Sequence, residues 1–135
     1  MTEAATRVLG ASPILLVADV VKAARYYADA LGFRAPRFWG EPPTFCIPQR
    51  DHCMVMLNQV GAGTTFRPNA DYDGRFDVYF AVENVDGLFA EFRENGADIV
   101  CEPEDQPYGM RDFQVRDLDG HLLAFGSDTS GAASA

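Results

Sequence analysis

The chain has 135 residues, is 47% hydrophobic, and sets 20 acidic side chains against 11 basic ones, for a formal net charge of −9. That length suits one domain, 1–135, with a core of its own. The charge excludes a basic phosphate-binding face, so no nucleic-acid partner is expected, and no apolar run is long enough for a membrane span.

The segment MTEAATRVLGA has no basic region followed by a long apolar stretch, so no secretory signal is expected. Ile14–Val17 is a short continuous apolar run and reads as a strand buried on both faces. Asp19 can cap a helix in which Val20, Val21, Ala24, Tyr27 and Leu31 recur at helical spacing, and Gly32 supplies a left-handed stop. Pro36 to Pro43 reads as a loop holding Phe38 and Trp39. Thr44–Ile47 and Met54–Asn58 then form a hairpin turning near Gln49–Arg50, with Pro48 at an edge or an end.

Residues 60–76 are glycine-rich and polar: a linker, expected to lie over a pocket. Asp77–Val82 alternates as a strand. Asn84 caps a second helix with Val85, Leu88, Phe89 and Phe92 on one stripe, and Asn95–Gly96 ends it. Asp98–Cys101, Arg111–Arg116 and Leu122–Phe125 read as strands, the last two joined by a two-residue turn at Asp119–Gly120. The small, polar tail 127–135 is expected to be disordered. Three cysteines, Cys46, Cys53 and Cys101, are odd in number and widely spaced, which suits free thiols in the cytoplasm.

The two halves repeat one another. Residues 14–33, ILLVADVVKAARYYADALGF, and 78–97, VYFAVENVDGLFAEFRENGA, align Val17 with Val82, Asp19 with Asn84 and Gly32 with Gly96. One such unit cannot bury its own apolar face, so two copies must pack together around a cleft. Two βαβββ-type modules, about 12–59 and 77–126, together with YGMRDFQVRDLDG (Tyr108 to Gly120), resemble the vicinal oxygen chelate superfamily: glyoxalases, extradiol dioxygenases and bleomycin-resistance proteins. The bleomycin-resistance branch is the most similar. The resemblance implies an α+β fold, a curved mixed sheet with a concave cleft, and a homodimer.

In metal-dependent members of the superfamily, four strand positions carry His, Glu or Gln. The matching positions here are Ser12, Met56, Asp77 and Ala124. A hydroxyl, a thioether, one carboxylate and a methyl group do not make a divalent-ion site, so neither metal nor other cofactor is expected. The histidines offer no rescue: His52 and His121 both read as exposed turn residues. Alternation, with Ser12 and Asp77 facing in, would place Met56, Asp77, Tyr79 and either Phe113 or its neighbours on the cleft face, while Trp39, Phe38, Phe45, Tyr108 and Met110 sit where loops border it. Rigid aromatics with adaptable thioethers suit a flat ligand, and the acidic balance favours a cationic one. Asp77 and Tyr79 are the candidates for any general acid or base, while Arg111 reads as a structural ion-pair partner. The expected function is sequestration of an aromatic drug or metabolite by a non-enzymatic binding protein. The alternative is a lyase, isomerase or dioxygenase.

Overall fold

A computed structural model describes residues 5–130. The first module runs β1 (Ile14–Val17), α1 (Val20–Leu31), β2 (Phe38–Trp39), β3 (Phe45–Cys46), β4 (Gln49–Arg50), β5 (Cys53–Met54) and β6 (Met56–Gln59). The second runs β7 (Val78–Ala81), α2 (Val85–Glu94), β8 (Asp98–Asp105), β9 (Met110–Arg116) and β10 (Leu122–Asp128). The fold is α+β, with sheet orders β1-β6-β3-β2 and β7-β10-β9-β8. In each sheet the first strand lies parallel to the last and the remaining pairs are antiparallel, so the two modules share one mixed topology.

Local chemistry sets the element ends. Asp19 accepts a hydrogen bond from the Lys22 amide at 3.1 Å, and Gly32 closes α1 at φ 71°, a left-handed turn that glycine enters without a Cβ clash. Asn84 caps α2 through the Gly87 amide at 3.1 Å. Val21, expected on the buried stripe of α1, faces solvent instead.

The hairpin of the first module departs from expectation. Phe45 opposite Asn58, Cys46 opposite Leu57, Gln49 opposite Met54 and Arg50 opposite Cys53 belong to one continuous register. Its turn is Asp51–His52, where Asp51 adopts φ 52°, and Gln49–Arg50 is strand. Proline has no amide proton to donate, so the ladder breaks at Pro48, although the Val55 amide still reaches the Pro48 carbonyl at 2.9 Å. Phe38–Trp39, expected in a loop, pairs with β3 as an edge strand. At the other hairpin the Gly120 amide donates to the Asp117 carbonyl, so a longer loop replaces the two-residue turn expected at Asp119–Gly120. Ser127 and Asp128, expected in a disordered tail, close β10; 131–135 lie outside the described residues.

The modules join through their helix-facing sides. Phe33 packs on Phe80 at 5.5 Å between ring centroids, Phe80 stacks on Phe125 at 4.6 Å, and Phe125 meets Phe113 at 5.5 Å. Polar ties reinforce the seam. Asp119 accepts from the Ala18 amide, the Tyr26 hydroxyl bridges the Arg116 carbonyl and the Asp98 amide, and Arg50 pairs with Glu91 at 2.7 Å.

The strand expected to be buried on both faces is not. Leu15 and Val17 enter this core, whereas Ile14 is 61% exposed and Leu16 lies open beside it. The first sheet therefore keeps an outer face that its own chain leaves uncovered. Among the described residues no helix is long and apolar enough to cross a membrane.

Candidate functional site

Strand pairing decides which side chains share a face, because opposed residues point the same way. On the outer face of the first sheet, Leu16, Asn58, Phe45 and Trp39 form one row, while Ile14 and Met56 belong to the next. Trp39 meets Phe45 edge-on at 5.5 Å, and the Arg37 guanidinium sits 4.4 Å from the Trp39 ring centroid. Met54 continues this face along the hairpin and is exposed. Phe38 pairs with Cys46 and so points to the opposite face, away from Trp39. The face is largely apolar, with amides at Asn58 and, opposite Met54, at Gln49.

The outer face of the second sheet is different. Tyr79, Ala124, Gln114 and Cys101 share a row, followed by Ala81, Gly126 and Asp112 and then by Met110. Asp112, 1% exposed, organises this face. Its Oδ2 accepts from the Tyr79 hydroxyl at 2.9 Å and the Tyr108 hydroxyl at 2.5 Å, and its Oδ1 accepts from the Gln106 amide at 3.1 Å. Gly126 makes the arrangement possible: a Cβ there would land on the Tyr79 hydroxyl and within 2.9 Å of the Asp112 Cβ. Burial and the Asp112 carboxylate together push the Tyr108 phenol up to about 12 and hold the Tyr79 phenol well above its ordinary value. Asp112, Gln106 and Gly126 escaped sequence reasoning. Asp112 carries no local signal, because a carboxylate in an alternating strand reads as solvated until its partners across the sheet are known.

Other candidate positions fall elsewhere. Phe113 is 0% exposed and packs on Phe89, Phe92 and Phe125 in the core, since its register partner Phe125 faces the helix side. Asp77 is held by backbone amides and not by Arg111. Its Oδ1 accepts from the Asn69 amide at 2.7 Å and its Oδ2 from the Leu122 amide at 2.8 Å, a staple between linker and β10. Arg111 pairs with Asp86 at 3.0 Å and Asp105 at 3.4 Å. A cavity of about 800 Å³ lies between the modules, lined by Phe33, Arg50, Cys53, Phe80, Glu83 and Glu91 among others. None of the nine candidate residues lines it.

The metal positions do not fit a divalent ion. Ala124 has no donor, Met56 offers only a thioether, and both oxygens of Asp77 are already held by backbone amides. Among the described residues no group of three or more His, Cys, Asp or Glu side chains is placed to hold a metal.

His121, expected at an exposed turn, is buried. Its Nδ1 lies 2.8 Å from Asp117 Oδ2, an oxygen that also accepts from the Tyr27 hydroxyl at 2.7 Å, and Phe66 of the linker stacks on its ring. The linker thus packs on the β9–β10 turn, and its Phe76 meets Tyr79 at 5.8 Å between ring centroids. Burial opposes the imidazolium, but Asp117, with Asp77 and Asp119 behind it, overrides that and raises the His121 pKa. His52 is exposed as expected. Cys46 is buried and Cys53 exposed, and they occupy different rungs of the hairpin, so they do not face each other.

A family model described as Glyoxalase/Bleomycin resistance protein/Dioxygenase superfamily matches residues 8–125. Solved structures agree. TioX from Micromonospora sp. ML1 is 26% identical, with 87% of this chain and 94% of that one covered at a TM-score of 0.65. The bleomycin-binding protein of bleomycin-producing Streptomyces verticillus, in complex with copper(II)-bleomycin, is 22% identical over 90% and 97% of the two chains at 0.69. A glyoxalase-related enzyme from Clostridium phytofermentans is 19% identical over 93% and 99% at 0.72. At such identities the last two likenesses speak to fold alone. No curated protein sequence gives a significant match.

Proposed function

The chain belongs to the glyoxalase/bleomycin resistance protein/dioxygenase superfamily, and from that premise we propose that it binds a flat aromatic small molecule and holds it unchanged, in a cleft completed by a second copy of the chain. The observation that carries this reading is the uncovered outer face of the first sheet, where Ile14, Leu16, Trp39 and Met54 remain exposed. A contiguous apolar face of that kind marks an interaction surface, and rigid rings beside thioethers suit a planar ligand. Tyr79, Tyr108 and Met110 lie on the outer face of the other sheet, so a partner chain presenting that face opposite would enclose a ligand between unlike walls. The bleomycin-binding protein shows that this fold can hold a ligand of that kind, and the net charge of −9 favours a cation.

Catalysis is the weaker reading. Both oxygens of Asp77 are engaged by backbone amides and the Tyr79 proton is engaged by Asp112, which disfavours either as a general base. The metal positions supply no chelate.

Trp39 is the only tryptophan, so its emission reports one place. Titration with metal-free bleomycin or a cationic polycyclic dye is expected to quench it saturably, and less tightly as salt rises. Trp39→Ala is expected to weaken binding, measured by calorimetry, by about 1–3 kcal/mol. Saturable binding with unchanged affinity in that variant would remove the first sheet from the site.

A further inference from the structure

The Asp112 cluster constrains what the second outer face can recognise, given the reading that this face lines a ligand cleft. A phenol has one proton and two lone pairs. The Tyr79 and Tyr108 protons both point at Asp112 Oδ2, while Gln106 occupies Oδ1. Asp112 is itself buried, so it anchors the two phenols without meeting the ligand. Arg111, adjacent in sequence, is turned to Asp86 and Asp105 and leaves Asp112 unneutralised. Opposite Asp112 on β8 stands Glu104, another acid. Both phenol rings are exposed, at 37% and 57%.

We propose that the Tyr79 and Tyr108 oxygens form a site that takes hydrogen-bond donors, such as the ammonium or guanidinium end of an aromatic ligand, and refuses carboxylates and phosphates. With their protons spent on Asp112, the phenols present only lone pairs outward, above a buried negative charge. An anionic group would meet acceptors with nothing to donate, and would leave them desolvated and unpaired. A cationic donor finds two acceptors polarised by the carboxylate beneath, beside two ring faces.

Two probes sharing one ring test this on the full chain by isothermal titration at pH 7: 2-naphthylmethylammonium and 2-naphthoate. The ammonium is expected to bind about tenfold tighter or more. Net charge alone would favour it too, so the deciding variant is Tyr108→Phe, which leaves the charge and the exposed ring in place. It is expected to cut the ratio at least about threefold through loss of the ammonium alone. Asp112→Asn frees a phenol proton by donating in its turn, and is expected to tighten naphthoate binding. Should Asp112→Asn fail to fold, Tyr108→Phe decides the matter. Equal affinities in the native chain, or a ratio unmoved by Tyr108→Phe, would overturn the donor site while the Trp39 response keeps ligand binding intact. Absence of binding by either probe also overturns the site, and if Trp39 is silent as well the ligand-binding reading falls with it.

Discussion

His121 shows how a single side chain couples this fold to pH. Its pKa is raised in the folded state, so the imidazolium–Asp117 pairing contributes stability that is fully present below the unfolded histidine value, about 6.5. That contribution is lost as pH rises through the higher folded value. Urea midpoints are therefore expected to decline across that window. His121→Gln should flatten the decline and cost about 1–3 kcal/mol at pH 6, because a buried partner of Asp117 is lost. A decline of equal size in the variant would assign it to another group. The sequence pointed the other way on this residue: a histidine following Asp-Gly reads as solvent-exposed, and nothing local announces that Tyr27, 90 residues from Asp117, shares its carboxylate.

At the level of strands and helices, the caps and periodicities were legible and the faces were not. Asp19, Gly32 and Asn84 act through neighbours three or four residues away, so their roles show in short windows of sequence. Which side of β1 or β9 meets the core depends on pairing across the sheet. Phe113 and Asp112 are adjacent, equally buried and oppositely directed. Gly126 belongs to the same class of hidden requirement. Gly126→Ala places a methyl group against the Tyr79 hydroxyl and the Asp112 Cβ, and is expected to destabilise the protein by about 1–3 kcal/mol in chemical denaturation while disturbing the tyrosine pair. Tyr79→Phe in the same background should recover part of that loss by removing the displaced oxygen. No recovery would place the strain in the β10 backbone itself.

For the molecule as a whole, two copies of one topology have come to present unlike outer faces, one apolar and one polar. The expected assembly brings the first sheet of one chain against the second sheet of another, twice over, in a closed pair that sets the aromatic wall opposite the tyrosine wall. Sedimentation equilibrium at micromolar concentration is expected to give twice 14.8 kDa. Leu16→Glu, a charge set into the apolar face at the far end of the row that carries Trp39, should shift the species to monomer. A native chain that sediments as a monomer would leave the ligand on a single open face. The repeat itself and the α+β class were readable in advance, because they rest on pattern. The direction in which the modules join was not, because it is decided by Phe33 on Phe80 and by side chains reaching across the seam.

That seam has a consequence for cooperativity. Independent copies of a motif, strung together, would open one at a time, as units in a solenoid do. Here the tip of the first hairpin is held by Arg50 to the C-terminal carbonyl of α1 and to Glu91 of α2, while Tyr26 holds the start of β8 and the end of β9. Neither half keeps its ends tied without the other. The duplicated chain is therefore expected to melt as one object, a lesion in either module lowering a single transition, because Phe33 on Phe80 and the Arg50–Glu91 pair tie each half to the other.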